Sequence, residues 1–182
     1  MSEWLSTWVN RAIAQIVPVP TLDAALGDLA EEYALKSQST SGRRASRWYW
    51  GQLARSIPQM VWFDIRRSGV VTTFAVAFGA WLVAGIVESI ADMALIALYG
   101  SNAVIEGLPG LLAGLGAFAL GGYVAALVRP AATKVLAGMI GVLVAAFMIA
   151  GVGNAPAWYG VSFLVFGPLM SITGGTWRNT LS

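Results

Sequence analysis

Three carboxylates are the only acidic groups in the apolar part of this 182-residue chain, and two of them sit inside an oily run. Glu88 and Asp92 are four residues apart, which places both on one face of a helix, and Glu106 follows them. Carboxylates within a membrane segment mark ion or proton pathways by default. About 20 residues counted from Gly69 bring Glu88 to the outer edge of a bilayer core and Asp92 beyond it, where both would be hydrated. Three roles therefore stay open for the pair: a solvated helix end, a dock for a basic partner, or a cation or proton site. Other chemistry is scarce. The chain has no cysteine and no histidine, which removes disulfides, thiol catalysis, zinc sites with nitrogen or sulfur ligands, and any histidine base. The glycines form no strand-to-helix phosphate loop. No enzyme activity, metal or cofactor is expected.

The elements that position these groups are apolar. Hydrophobic residues make up 57% and charged residues 11%, against roughly 45–50% and about 25% in a soluble domain. Four runs, at about 69–90, 108–128, 135–153 and 157–177, each supply the roughly 20 residues that a helix needs to cross a hydrocarbon core. The first continues helically through Glu88 and Asp92 to about Leu98. None shows the polar face of a helix buried in a soluble bundle.

Basic residues alternate along the chain. Arg55, Arg66 and Arg67 precede the first run, Arg129 and Lys134 lie in the turn "RPAATK" between the second and third, and Arg178 follows the fourth. No Lys or Arg lies between the first and second runs or between the third and fourth. The bias of basic residues to the cytoplasmic side then puts both termini inside. Trp158 and Tyr159 read as anchors at the outer start of the fourth span, and Trp177 as one at its inner end. Short connections make sequential helices antiparallel neighbours in an up-down-up-down bundle. Gly110 and Gly114 form a small-xxx-small pair on the second span, suited to close helix packing within the bundle or against another subunit. Pro168, mid-span in the fourth run, is expected to kink it.

Residues 1–67 hold eight of the eleven Lys/Arg and six of the nine Asp/Glu, so a polar head precedes the membrane body. Trp4, Leu5, Trp8, Val9, Ala12, Ile13 and Ile16 recur at helical spacing up to Pro18 and Pro20. A second helix is expected from the cap Thr21, with Leu22, Leu26, Leu29 and Tyr33 as its apolar stripe. After the turn 39–42, a third carries Tyr49, Trp50, Leu53, Ile57 and Met60 on one arc, with Arg44 and Arg55 opposite and Pro58 breaking it. The net charge of +2 and the nearby Glu31, Glu32 and Asp64 oppose a nucleic-acid arm. The arginines read instead as a collar drawn to anionic lipid, at about 1 kcal/mol each near the surface.

Within this head, Gly27, Asp28, Leu29, Glu31, Glu32 and Tyr33, followed by Ala45, Arg47, Trp48, Tyr49, Trp50 and Gln52, carry a resemblance. Residues 26–58 resemble the amino-terminal prefix domain of the duplicated orphan permeases, an ABC-type group, with Ser46 as a departure from the pattern. The resemblance implies a helical cytoplasmic prefix on a membrane protein and brings no catalytic residues. The rest of the chain has neither the large extracytoplasmic domain nor the second permease half of that group.

These readings define an all-α polytopic membrane protein: a small helical cytoplasmic head (1–67) on a four-transmembrane-helix bundle (68–182), in a bacterial-type inner (cytoplasmic) membrane. The role expected is a non-catalytic accessory or scaffold subunit that docks onto other membrane subunits or onto itself. Trp48, Trp50, Arg55, Gly110 and Gly114 would carry the contacts. The alternatives are a small oligomeric cation transporter or channel using Glu88 and Asp92, and a membrane regulator of a permease. A tag reporter inserted in the "RPAATK" stretch is expected to register the cell interior. A signal from the exterior would invert the layout.

Overall fold

A computed structural model of the chain describes residues 19–100, 107–150 and 156–180, and all regular structure among them is α-helix. The chain divides into two compact units, 1–67 and 68–182. The amphipathic segment Trp4–Ile16 and Glu106 lie outside the described residues.

In the first unit, α1 (Val19–Ser39) and α2 (Gly42–Arg67) pack through one small core. Leu53 is buried among Leu26 and Leu29 of α1 and Tyr49, Trp50, Ile57, Met60 and Val61 of α2, the arc that the spacing defines. Tyr33 and Tyr49 meet edge to face at 5.8 Å, as do Tyr49 and Trp50 at 5.4 Å. Burial pushes the Tyr49 hydroxyl above its ordinary value of 10.0. Two local expectations are corrected. Helix α1 is already formed at Val19, so Thr21 lies in its first turn rather than at its cap, and Pro20 occupies a turn where a missing N–H costs little. Pro58 does not break α2, which runs through it to Arg67. The carbonyl that Pro58 frees belongs to Ala54, and both residues are on the exposed side, where that carbonyl can be hydrated.

The second unit is the four-helix bundle. Helix α3 (Val70–Tyr99) starts after Gly69, whose φ of 85° is open to glycine, and ends at Gly100, a left-handed cap with its N–H on the Ile96 carbonyl. Its 30 residues make it about 45 Å long, more than the roughly 30 Å hydrocarbon core requires. Helix α4 (Leu108–Val128) is followed, after a single residue, by α5 (Pro130–Ala150). The "RPAATK" stretch is thus not a turn but Arg129 plus the first turn of α5. A residue before proline is pushed out of the helical region, and Arg129 is accordingly extended at φ −157°, ψ 110°, while Pro130 opens the next helix. The third span correspondingly starts earlier than residue 135. Helix α6 (Ala157–Thr180) is one helix through Pro168.

All four bundle helices are long and apolar enough to cross a membrane, so the protein is a multi-pass integral membrane protein. Its outer surface agrees: Val71, Ile86, Ile90, Val142, Ile149 and Leu169 are all exposed, which only lipid tolerates over so wide a band. Of the three buried hydroxyls, Thr73 donates to the Gly69 carbonyl of its own helix at 2.8 Å and Thr133 donates across to that of Gly122 at 3.4 Å, while Ser171 has no hydrogen-bond partner among the described residues.

Successive helices do reverse direction, but they are not the only neighbours. The most extensive contact is between α4 and α6, which run parallel: Gly114 faces Phe163, Phe118 faces Gly167 and Gly122 faces Ser171. Among the described residues the backbones of α3 and α6 stay more than 8 Å apart and meet only through side chains, while α3 packs on α4 and α5. A Cβ at Gly122 would strike the Ser171 backbone, and one at Gly174 the Ala119 carbonyl, so the two backbones touch there directly. The bundle is tight at the Arg129 end and open at the other. Every buried residue of α5 lies between Ala131 and Ile140, whereas Phe147, Met148 and Ile149 are exposed.

Gly122→Ala should therefore lower the thermal unfolding temperature in detergent, by overpacking that costs about 1–3 kcal/mol. Gly116→Ala, with nothing within 4 Å of the added methyl, should leave stability unchanged or raise it by up to about 1 kcal/mol through helix propensity. Equal effects from the two would refute the close crossing.

Candidate functional site

At the open end of the bundle, Trp81, Gly85 and Glu88 share one face of α3 by their spacing of four and three residues. They turn toward α5 and α6 and line a cavity of about 540 Å³. Phe118 closes it from α4, Ile140, Val144, Phe147 and Met148 from α5, and Tyr159, Gly160 and Phe163 from α6. The rings on the α4 and α6 side form a connected wall. Phe118 meets Phe163 edge to face at 5.7 Å, and Phe163 meets Tyr159 at 4.9 Å.

The carboxylate of Glu88 enters this wall. A Cβ on Gly114 would lie 2.8 Å from Glu88 Oε1 and 2.5 Å from Phe163 Cζ. Only a residue without a side chain leaves room for both groups, so Gly114 of α4 makes the niche that Glu88 of α3 and Phe163 of α6 share. No Lys, Arg or His is among the residues that line the cavity. The described residues contain no cluster of three or more acidic, histidine or cysteine side chains able to hold a metal ion.

The Glu88 side chain is half-buried and turned into the bundle rather than outward from the helix end. Asp92, one turn further on the same face, is half-buried too but does not line the cavity. The fold therefore separates the pair, with Glu88 lining the cavity and Asp92 outside its lining. Tyr159 is likewise an inward wall residue rather than an interface anchor, while its neighbour Trp158 is exposed.

The residues expected to make partner contacts are mostly occupied within the chain. Gly110 and Gly114 are buried on the inner face of α4, so that face is not open to another subunit. In the head, Trp50 packs in the Leu53 core, and Trp48 is half-buried beneath Lys36, whose ammonium stands 4.4 Å from the ring centroid. Arg55 is exposed on α2, together with Arg43, Arg44 and Arg47.

The spacing of Trp81, Gly85 and Glu88 was a signal available in the sequence. The partners from α5 and α6 were not, because nothing local says which faces of those helices meet α3. Comparison with known proteins gives no match to a protein-family model, to a curated protein or to a solved structure.

Proposed function

We propose that this protein is a small membrane carrier for a cation, with Glu88 as the binding carboxylate. The observation that carries the reading is Glu88 itself: a carboxylate turned into an apolar cavity, in a niche opened by Gly114, with no cationic side chain lining that cavity. An ionised group in such a place requires a counter-charge, and a mobile cation or a proton is the one the cavity can admit. Expelling or exchanging that cation is then the elementary step of transport. The head and both termini would face the cytoplasm, with the arginines of α2 on the anionic leaflet of a bacterial-type inner membrane.

The purified protein in liposomes is expected to accelerate flux of at least one of protons, potassium or a quaternary ammonium ion. Glu88→Gln should reduce that flux about tenfold or more, as befits loss of a charge-assisted interaction of roughly 1.5–3 kcal/mol. Asp92→Asn should retain most of it. No flux of any of the three would overturn the reading.

The exposed face of Arg43, Arg44, Arg47 and Arg55 favours a second reading, an accessory or scaffold subunit. In it the prefix-like residues 26–58 dock onto, or regulate, a permease-type membrane assembly. Native protein extracted in mild detergent should then carry a stoichiometric membrane partner, and a lone monomer would count against it.

A further inference from the structure

The cation-carrier reading leaves the chemical class of the cation open, and the cavity narrows it. We infer that the ligand of the Glu88 cavity is a lipophilic organic monocation, a quaternary or protonated amine joined to an apolar body, taken up sideways from the lipid. This rests on the carrier reading and goes beyond it on four observations.

The donor set is wrong for an inorganic ion. Glu88 supplies the single carboxylate and Tyr159 a single hydroxyl, and the remaining described lining is apolar or aromatic apart from the indole of Trp81. Stripping hydration from a hard cation takes about six oxygen ligands, which this lining does not offer. The size is wrong as well. About 540 Å³ is far more than a bare ion fills, and it lies within the roughly 300–1,000 Å³ of pockets that enclose drug-sized molecules.

The walls suit a diffuse positive charge. Trp81, Phe118, Phe147, Tyr159 and Phe163 line the cavity that Glu88 enters, and aromatic faces attract alkylammonium groups that are only weakly hydrated. A single carboxylate balances a single charge, so a dication would leave one charge unpaired in an apolar site. Phe147 and Met148 line the cavity and are themselves exposed, which favours entry sideways past α5. A molecule dissolved in the hydrocarbon can therefore reach Glu88 without crossing the tight Arg129 end.

The test is a matched pair of probes. Benzyltrimethylammonium and neopentylbenzene have the same shape and differ by one charge. Binding to the full chain in lipid nanodiscs is read by quenching of tryptophan fluorescence and by calorimetry. Benzyltrimethylammonium should bind at one site per chain, at least about tenfold more tightly than neopentylbenzene. Glu88→Gln should erase that preference without lowering the unfolding temperature, since it removes a charge from an apolar site. Trp81→Leu should weaken the ammonium severalfold through loss of the ring and keep the preference. Sodium and potassium in large excess should not displace the ammonium. If Glu88→Gln abolishes proton or potassium flux but wild-type protein shows no preference for the ammonium, the lipophilic-cation inference is overturned and the carrier reading stands. If there is neither preference nor flux, both fall.

Discussion

Inside a bilayer, two helices gain nothing by hiding apolar side chains from their surroundings, because lipid is as apolar as they are. What holds α4 to α6 is the close approach of their backbones, and Gly122 and Gly174 are the residues that permit it. At Gly122 the Ser171 backbone occupies the space a methyl would need, and at Gly174 the Ala119 carbonyl does the same. Dispersion and weak Cα–H···O contacts between main chains replace the hydrophobic effect here, and they fade within about an ångström of separation. The position of every other helix follows from this contact. With α4 and α6 locked side by side and parallel, α5 returns along them and the backbone of α3 stays away from that of α6, which it meets only through side chains.

The cavity is a geometric consequence of that arrangement. The single extended residue Arg129 forces α4 and α5 together at one end, and Ala131, Ala132, Leu136 and Ile140 bury themselves there. Among the described residues the other end has no such buried set on α5, and the α3 and α6 backbones stay apart there. Aromatic side chains fill part of the resulting space, and Glu88 stands in the rest. A carboxylate there is costly to stability, since moving an ion out of water is only offset by a partner of opposite charge. Retaining it within a wall of rings is sensible where a ligand supplies that partner, which is why the functional reading centres on one side chain.

The head follows different physics. Its two described helices are amphipathic in the ordinary aqueous sense, with Leu53 and its neighbours sequestered and the arginines exposed. Trp48 and Trp50 contribute to holding α2 against α1, and among the described residues the exposed surface of the head carries the arginines together with Leu35, Trp62 and Phe63. The two units thus solve the same problem with opposite surfaces, one polar outside and one apolar outside.

Much of the architecture was legible from local pattern alone. The hydrophobic runs marked four spans to within a few residues at most ends, the arc of Tyr49, Trp50, Leu53, Ile57 and Met60 marked the head core, and the first span began at Gly69 and continued helically close to its observed end. Local chemistry also misled. Pro58 looked like a break, yet it sits within a continuous helix, because a single missing N–H is tolerated where the freed carbonyl is exposed. The order of the rods and the presence of two carboxylates on one face were set by the amino-acid sequence through length, hydropathy and helical period, which are properties of a segment by itself. The direction in which Glu88 points, and the glycine, rings and empty volume it meets, were decided only in the tertiary structure. They depend on which helix faces happen to touch, and that choice is made by backbone fit between segments distant in the chain, where no local pattern speaks.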